Sequence, residues 1–413
     1  MKRKLLGALL SVAMVASLLV GCGSDGGSTT TTADTTTDNA STEATTESND
    51  NADAAAETDE AGGAEDTASA GGKIGISMPT QSLERWNRDG AYLDEQFKAA
   101  GFETILTFSD NKSEQQVNDI QNMLAENVDL LIIAAIDGEA LNTVLNEAAE
   151  ANIPVISYDR LILNDAVSYY VSFDNYTVGQ LQGQFIVDTL DLANAGDTVY
   201  NMEITAGDPA DNNAGYFYGG AVDTLQPYID AGTLNIVSGQ TDFDTVATEQ
   251  WSTDTALERA QNILSSYYAD GTQLDVWLCS NDSTALGVAQ AITSDYAGSN
   301  SILITGQDGD EANLKNIVDG VQTMTVYKNV SNESIVTLSL AQAMLAGDTI
   351  DASLCNSFGI DCAYDTESYE TSAGHKCPSF LLVPNVITKD NLQELVDTGL
   401  YTMGDDGYLS AVQ

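Results

Sequence analysis

Six segments of the sequence place polar side chains directly after a short apolar run. In open parallel sheets, ligands bind outside the carboxyl ends of the strands, so the residues that follow each strand are the ones that could meet a ligand. The chain delivers carboxylates, amides and cations at these points. The side chains concerned are Arg85 with Trp86 and Asn87, Asp159 with Arg160, the stretch 208 to 213 (DPADNN), Asn281 with Asp282, Gln307 with Asp308, and Lys328.

This mixture of side chains suits a neutral ligand with many hydroxyl groups, such as a sugar. Each hydroxyl both donates and accepts, so carboxylates paired with Arg, Lys and Asn amides can satisfy it, and charge-assisted bonds are the stronger ones. The apolar faces of a sugar ring also pack on aromatic rings. Trp86 is one candidate ring, and Phe243 and Trp251 are two more between which the sequence does not choose.

Each of these residues also has a simpler structural explanation. Asp159 and Arg160 could form a surface ion pair, the residues 211 to 213 could cap the helix that begins near Ala214, and Asp308 could cap the next helix. A cap can coexist with a ligand contact. Six strand ends that all carry such residues are much less expected by chance, so the pattern favours a binding site.

The elements that would position these residues alternate between strand and helix from Lys73 onward. Runs such as DLLIIAAI are continuously apolar, as strands buried on both faces of a parallel sheet require. A second series of five strand and helix steps follows YYVSFDN. Because the last apolar helix, 334 to 345, and the stretch FLLVPNVI come after this second series, we expect the chain to return between two lobes that enclose a hinged cleft.

The N-terminus reads as a targeting segment. Lys2, Arg3 and Lys4 precede an apolar run from Leu5 to Val20 that is too short for an ordinary membrane-spanning helix, so residues 1–21 are predicted to be a signal peptide. The run ends in LVGC, which resembles the bacterial lipobox. Cys22 is therefore the predicted lipidation site, with acyl chains that hold the protein at the outer face of the cytoplasmic membrane; the alternative is an ordinary signal peptide with an incidental cysteine.

Residues 22–72 are predicted to form a flexible tether. From Gly23 to Gly72 the sequence contains no Lys, Arg, aromatic residue, Leu, Ile or Val, so it cannot bury a core. A tether of this length reaches on the order of 40 Å, and its like charges extend it further. Its role is to hold the folded body away from the lipid surface.

Charge and motifs exclude several classes of function. The net charge of -48, from 62 Asp plus Glu against 14 Lys plus Arg, would repel nucleic acid. A Walker loop and a G-x-S-x-G motif are both lacking, so we expect neither an enzyme nor a cofactor, although paired carboxylates leave a glycosidase as an alternative. A sugar-responsive repressor would carry a helix-turn-helix where this chain has its acidic tether.

Four cysteines follow Cys22. Cys279 lies in the apolar run DVWLCS and is expected to be a buried core thiol. Cys355, Cys362 and Cys377 lie near His375, but no C-x-x-C spacing is present and no metal site is predicted. Outside the cytoplasm a disulfide between two of these three is the better expectation, and the sequence leaves the pair open.

The polar segments, taken together, resemble the xylose-binding and multiple-monosaccharide-binding proteins of bacterial ABC importers, a group of type I periplasmic binding proteins. The resemblance runs in order from about Lys73 to the C-terminus. It is carried by LERWNRDG, ISYDRLI, YYVSFDNYTVGQLQ, GDPADNNA, CSNDSTALG, TGQDGDEANLKNI and QTMTVYK. The stretch from Leu354 to Cys377 is longer and richer in cysteine than the family pattern.

The resemblance implies a fold of two Rossmann-like lobes joined by three crossovers, near Asn175, Lys328 and Phe380. The first lobe would comprise 73–174 plus 329–380, and the second 175–328 plus 381–413. The implied sugar contacts are Arg85, Trp86, Asp159, Arg160, Asn213 with its neighbour Asn212, Asp282, Asp308 and Lys328, and the second ring is Trp251 or Phe243.

The resemblance also implies partners. The protein would be a monomer that binds a pentose or hexose and delivers it to ABC permease and ATPase subunits. A receptor that signals to a membrane sensor kinase or chemoreceptor would have the same ligand chemistry, and only the docking partner would separate the two.

Overall fold

The computed structural model describes residues 71 to 412. The predicted signal peptide, Cys22 and the tether as far as residue 70 lie outside the described residues. Between residues 71 and 412, the structure contains no helix with the length and apolar character needed to cross a bilayer.

The first lobe is built around a seven-stranded sheet. Its strands are short apolar runs, and all four residues of β3 and of β4 are buried because helices cover both faces. The elements up to the first crossover are β1 (Lys73–Met78), α1 (Glu84–Ala99), β2 (Glu103–Phe108), α2 (Ser113–Ala125), β3 (Leu130–Ile133), α3 (Asn142–Glu150), β4 (Val155–Tyr158) and β5 (Val167–Phe173). These five strands lie in the order β5, β4, β3, β1, β2 and are all parallel.

The second lobe contains a four-stranded parallel sheet. Its elements are α4 (Asn175–Thr189), β6 (Tyr200–Thr205), α5 (Asn212–Asp230), β7 (Leu234–Ile236), α6 (Phe243–Val246), α7 (Thr253–Tyr267), β8 (Val276–Cys279), α8 (Asp282–Asp295), β9 (Leu303–Ile304), α9 (Glu311–Asp319) and β10 (Met324–Tyr327). The sheet has the order β7, β6, β8, β9.

The chain then passes back and forth between the lobes. The remaining elements are α10 (Val330–Ala346), β11 (Cys362–Asp365), β12 (Glu370–Ser372), β13 (His375–Lys376), β14 (Ser379–Leu382), β15 (Asn385–Thr388), α11 (Gln393–Asp397), β16 (Tyr401–Met403) and β17 (Leu409–Ala411). Helix α10 packs in the core of the first lobe, and β14 pairs with β5 in its sheet. Strand β15 pairs with β10. The predicted α/β fold of two lobes joined by three crossovers is therefore confirmed.

One detail of the second sheet differs from the prediction of five strand and helix steps. The fifth strand, β10, is an antiparallel partner of β15 and contacts the rest of the sheet by a single parallel bridge between Gln307 and Val326. Its hydrogen-bonded partner, β15, lies about sixty residues further along the chain. Local sequence patterns give no signal of pairing over that separation.

The four cysteines in the described residues are free thiols, so the predicted disulfide is not present there. Cys355 and Cys362 pack against the apolar cluster on one face of the first sheet, whereas Cys377 is buried in the cluster on the other face. Cys377 is thus separated from the other two by the sheet itself. His375 lies 4.0 Å from Asp165, and residues 71 to 412 hold no cluster of acidic, His and Cys side chains suited to a metal ion.

Two glycines let helices α4 and α5 approach closely. A Cβ atom on Gly179 would overlap the backbone oxygen of Phe217, and one on Gly220 would overlap the backbone oxygen of Tyr176. Backbone atoms cannot move aside as a flexible side chain can. The helix pair that begins the second lobe therefore depends on the absence of side chains at these positions.

We expect Gly220→Ala to lower the free energy of unfolding by about 1 to 3 kcal/mol, because the added methyl group must push the two helices apart. Gly215 lies exposed on the same helix with open space around it, so Gly215→Ala is the matched control and should raise stability by about 0.5 to 1 kcal/mol. Urea denaturation of both variants measures the difference. Equal stability of the two would show that the helices do not need the glycine.

Candidate functional site

A narrow cavity lies between the two lobes. Its walls combine three cations, three carboxylates, three other polar residues and four apolar ones. They are Arg85, Arg160 and Lys328; Asp159, Asp211 and Asp308; Asn281, Ser283 and Gln307; and Leu83, Trp86, Phe217 and Trp251.

The first lobe supplies its residues from the ends of two strands. Helix α1 begins at Glu84, shortly after β1, so Arg85 and Trp86 lie in its first turn and are buried. Asp159 and Arg160 follow β4 directly. Asp159 has a φ of 55°, a left-handed conformation in which few residues other than glycine are found.

The second lobe contributes two residues with similarly unusual backbones. Trp251 has a φ of 54° and Asp308 a φ of 105°. A bulky aromatic residue in the left-handed region is a genuine outlier, and such outliers cluster at binding and catalytic sites, where the surrounding structure over-determines them. Three cavity residues, Asp159, Trp251 and Asp308, thus share this feature.

Two carboxylates from opposite lobes share two cations at the centre of the site. Arg85 donates to Asp159 over 2.6 Å and to Asp308 over 3.1 Å. The ammonium group of Lys328 lies 3.0 Å from Asp159 and 3.5 Å from Asp308. Burial by itself would raise the pKa of Asp159, but the charges of Arg85 and Lys328 outweigh it and lower this pKa to about 2. Asp159 is therefore an ionised acceptor at neutral pH.

Arg85 also forms ion pairs with two carboxylates that do not line the cavity. Its guanidinium lies 3.3 Å from Asp89 and 3.1 Å from Glu333 of α10. Tyr158 donates to Asp89 over 2.5 Å. Burial raises the pKa of Glu333, and the negative charge of Asp159 raises it further, while Arg85 opposes both. These contacts fix the direction in which Arg85 presents its remaining N–H groups.

A second chain of contacts crosses the cleft at Arg160. Its Nε lies 3.1 Å from Asp211, which also accepts from the indole of Trp251 over 3.2 Å. The other oxygen of Asp211 accepts from the backbone N–H of Asn213 and so caps helix α5. The helix cap and the cavity contact coexist in this one side chain.

The aromatic rings come from both lobes. Trp86 has the guanidinium groups of Arg85 and Arg160 at 5.1 and 5.0 Å from its ring centre. In the second lobe, Trp251 and Phe217 meet edge to face at 6.2 Å. A Cβ atom on Gly207 would overlap the Trp251 ring, so this glycine makes room for it. Phe243, the alternative ring, packs edge to face against Tyr218 and does not line the cavity.

Of the predicted contact residues, seven line the cavity and three do not. The seven are Arg85, Trp86, Asp159, Arg160, Trp251, Asp308 and Lys328; the three are Asn212, Asn213 and Asp282. Asn213 donates to the backbone oxygen of Asp159 over 2.6 Å, and Asn212 donates to that of Leu161 over 3.1 Å. Both amides thus join the lobes through the backbone beside the cavity.

Asp282 lies beneath the turn that carries Asp308. It is fully buried and accepts from the backbone N–H groups of Gly309 and Asp310, both over 2.9 Å. Gln322 and Thr325 donate to it as well. Burial and the nearby charge of Asp308 raise the pKa of Asp282 to about 7. Asp282 therefore stabilises the turn that carries Asp308.

The cavity is also lined by residues that were not predicted as contacts from the sequence. Three of them belong to the polar segments that follow strands, and each directly precedes a predicted contact residue. They are Asp211, Asn281 and Gln307. Leu83, Phe217 and Ser283 carried no such signal. Phe217 in particular lies one turn into helix α5, and only the packing of that helix brings its ring beneath Lys328, 5.5 Å away.

Comparisons with known proteins agree with this architecture. Residues 74–349 match the family model described as a periplasmic binding protein domain. The chain is 38% identical to the multiple sugar-binding periplasmic protein SbpA of Azospirillum brasilense, over 80% of this chain and 89% of that protein. It is 32% identical to the D-xylose-binding periplasmic protein of Escherichia coli, over 78% and 89% respectively.

A solved structure agrees as well. An ABC transporter solute-binding protein from Clostridium phytofermentans, with bound β-D-glucose, is 44% identical and has a TM-score of 0.75, over 81% of this chain and 99% of that one. The family model covers well over half of the sequence and the relatives span the two lobes. The chain therefore belongs to the periplasmic binding protein family.

Proposed function

We propose that this protein is the lipid-anchored sugar-binding subunit of an ABC importer, which binds a monosaccharide in the cavity between its lobes and closes on it. The observation that carries the proposal is the charge-balanced lining of that cavity. Three cations face three carboxylates, so no net charge selects for an ionic ligand. Their hydrogen bonds offer paired donors and acceptors, which is what the hydroxyl groups of a sugar require.

The relatives support a pentose or hexose as the ligand. Two of them are named for binding multiple sugars or D-xylose, and the solved structure holds β-D-glucose. They are named as binding proteins, which favours a receptor over a glycosidase. Within the cavity, Asp159 and Asp308 each lie against Arg85 and Lys328, an arrangement that orients acceptors toward hydroxyl groups.

Closure of the lobes follows from where the contacts originate. Arg85, Trp86, Asp159 and Arg160 come from the first lobe, whereas Asp211, Trp251 and Asp308 come from the second, so a ligand can contact all of them only when the cleft is shut. A ligand with higher affinity for the closed form shifts the population toward it. The closed form would present a joined surface that the permease can distinguish from the open one.

The proposal is tested by a thermal-shift screen of pentoses and hexoses. We expect D-glucose or D-xylose to raise the melting temperature, because a ligand that binds only the native state stabilises it by mass action, by about 2.7 kcal/mol at a hundred times Kd. Glucose 6-phosphate is the control and should not bind, since the cavity has no excess positive charge and the chain carries a net charge of -48. A screen in which no monosaccharide raises the melting temperature would refute the proposal.

We expect Asp159→Asn and Asp308→Asn each to reduce sugar affinity by about 2 to 4 kcal/mol, because each removes a charged acceptor and leaves Arg85 and Lys328 short of a partner. Asp254→Asn, in the exposed first turn of α7, is the matched control and should bind sugar as the wild type does. Isothermal titration calorimetry gives the affinities, and circular dichroism shows that the fold is retained. Wild-type affinity in either site variant would show that the residue replaced in it does not contribute to sugar binding.

The anchor is a separate prediction. Cys22 follows a basic segment and an apolar run in the order LVGC, so we expect Cys22→Ser to abolish lipidation and to leave the protein unprocessed or released into the soluble fraction. Fractionation of cells that express each form, followed by immunoblotting, measures this. A variant that stays with the membrane and is processed like the wild type would contradict the lipid anchor.

A further inference from the structure

A cluster of contacts outside the cavity joins the two lobes next to the Asp308 turn. We call it the interlobe latch and define it as Glu84 and Arg88 of α1 with Asp310, Glu311 and Tyr401 of the second lobe. None of these five side chains lines the sugar cavity.

Arg88 is the centre of the latch. Its Nη1 donates to the backbone oxygen of Gly309 over 3.1 Å and to the hydroxyl of Tyr401 over 2.6 Å. Its Nη2 donates to the backbone oxygen of Asp308 over 3.2 Å and lies 3.2 Å from the carboxylate of Asp310. One side chain of the first lobe thus contacts four groups of the second, and only 15% of it is exposed.

Glu84 makes the second half of the latch. Its two carboxylate oxygens accept from the backbone N–H of Glu311 over 3.1 and 3.2 Å. Glu311 is the first residue of helix α9, and the residue before it, Asp310, makes no capping bond with its own side chain. The first turn of α9 is therefore capped from the opposite lobe, where a negative charge is also favoured by the helix dipole.

The turn that the latch holds is strained at Asp308, whose φ of 105° is uncommon for residues other than glycine. Gly309 follows with a φ of 75°, which glycine adopts freely. Asp282 supports this turn from inside the second lobe through the N–H groups of Gly309 and Asp310. Arg88 and Tyr401 hold its carbonyl groups from the other side, since Tyr401 also donates to Gly309 over 2.8 Å. The Asp308 carboxylate faces the cavity while its own carbonyl group is bonded to the first lobe.

We propose that Arg88 is a positioning residue for Asp308 and that the interlobe latch forms as the lobes close, so that it raises sugar affinity without contacting the sugar. This inference rests on the proposed function. Bonds that exist only between the closed lobes favour the closed population alone. They therefore slow the release of sugar and contribute little to the stability of a protein whose lobes are apart.

The test compares Arg88→Met, which keeps the length of the side chain but removes the guanidinium, with the wild type. We expect Kd for D-glucose or D-xylose, whichever raises the melting temperature of the wild type more, to rise about tenfold to a hundredfold, mainly through faster dissociation, because changes within one binding site act chiefly on the off-rate. The melting temperature without sugar should be unchanged, and the increase produced by saturating sugar should be smaller.

Arg259→Met is the matched control. Arg259 also bonds backbone and side-chain oxygens, namely those of Ile204, Thr205 and Gln240, but all of them lie in its own lobe. Its loss should lower the melting temperature without sugar and leave Kd unchanged. Tyr401→Phe should raise Kd by a smaller factor than Arg88→Met, and the double variant should resemble Arg88→Met, because residues that share a network are not additive.

The outcomes separate the latch from the function on which it rests. If the wild type binds sugar and Arg88→Met binds it equally well, or if Arg88→Met loses the same melting temperature with and without sugar, the latch is refuted and the sugar site stands. A wild type that binds no monosaccharide would overturn both proposals.

Discussion

The site depends on the need to pair buried charges. Asp159 and Asp308 come from opposite lobes, and both lie against Arg85 and Lys328 in a region nearly closed to water. An uncompensated charge in such a place is costly, so each carboxylate needs a cation within reach. Since Arg85 belongs to the first lobe and contacts both carboxylates, the same pairing that satisfies the charges also brings the lobes together.

The backbone around this ion cluster is arranged to keep it in position. Asp159 and Asp308 both have left-handed conformations, and each has its backbone oxygen bonded by a side chain of the opposite lobe, Asn213 in one case and Arg88 in the other. Strained residues persist only where the surroundings over-determine them. The two edges of the cleft therefore resemble each other: a carboxylate faces the cavity, and the far lobe holds the carbonyl group behind it.

Much of the fold could be predicted from the sequence because its signals are local. Continuous apolar runs indicate buried parallel strands, their alternation with helices indicates an α/β fold, and the stretch FLLVPNVI after the second series predicts a return between lobes. The pairing of β10 with β15 could not be predicted in this way, because Met324 and Thr388 are far apart in the chain and strand patterns do not name their partners. The sequence also could not exclude Cys377 as a disulfide partner, since the sheet that separates it from Cys355 forms only in three dimensions.

For the site, the sequence by itself determined the neighbourhood: the strand-end rule located Arg85, Asp159, Asp308 and Lys328, and all four meet at one cavity. Which of two adjacent residues faces that cavity was decided only by the tertiary structure. Asp211 and Asn281 line it, while their neighbours Asn212 and Asp282 bond backbone groups elsewhere. The direction of a side chain at the start of a helix depends on the local dihedral angles and on the groups packed against it, and those groups come from distant parts of the chain.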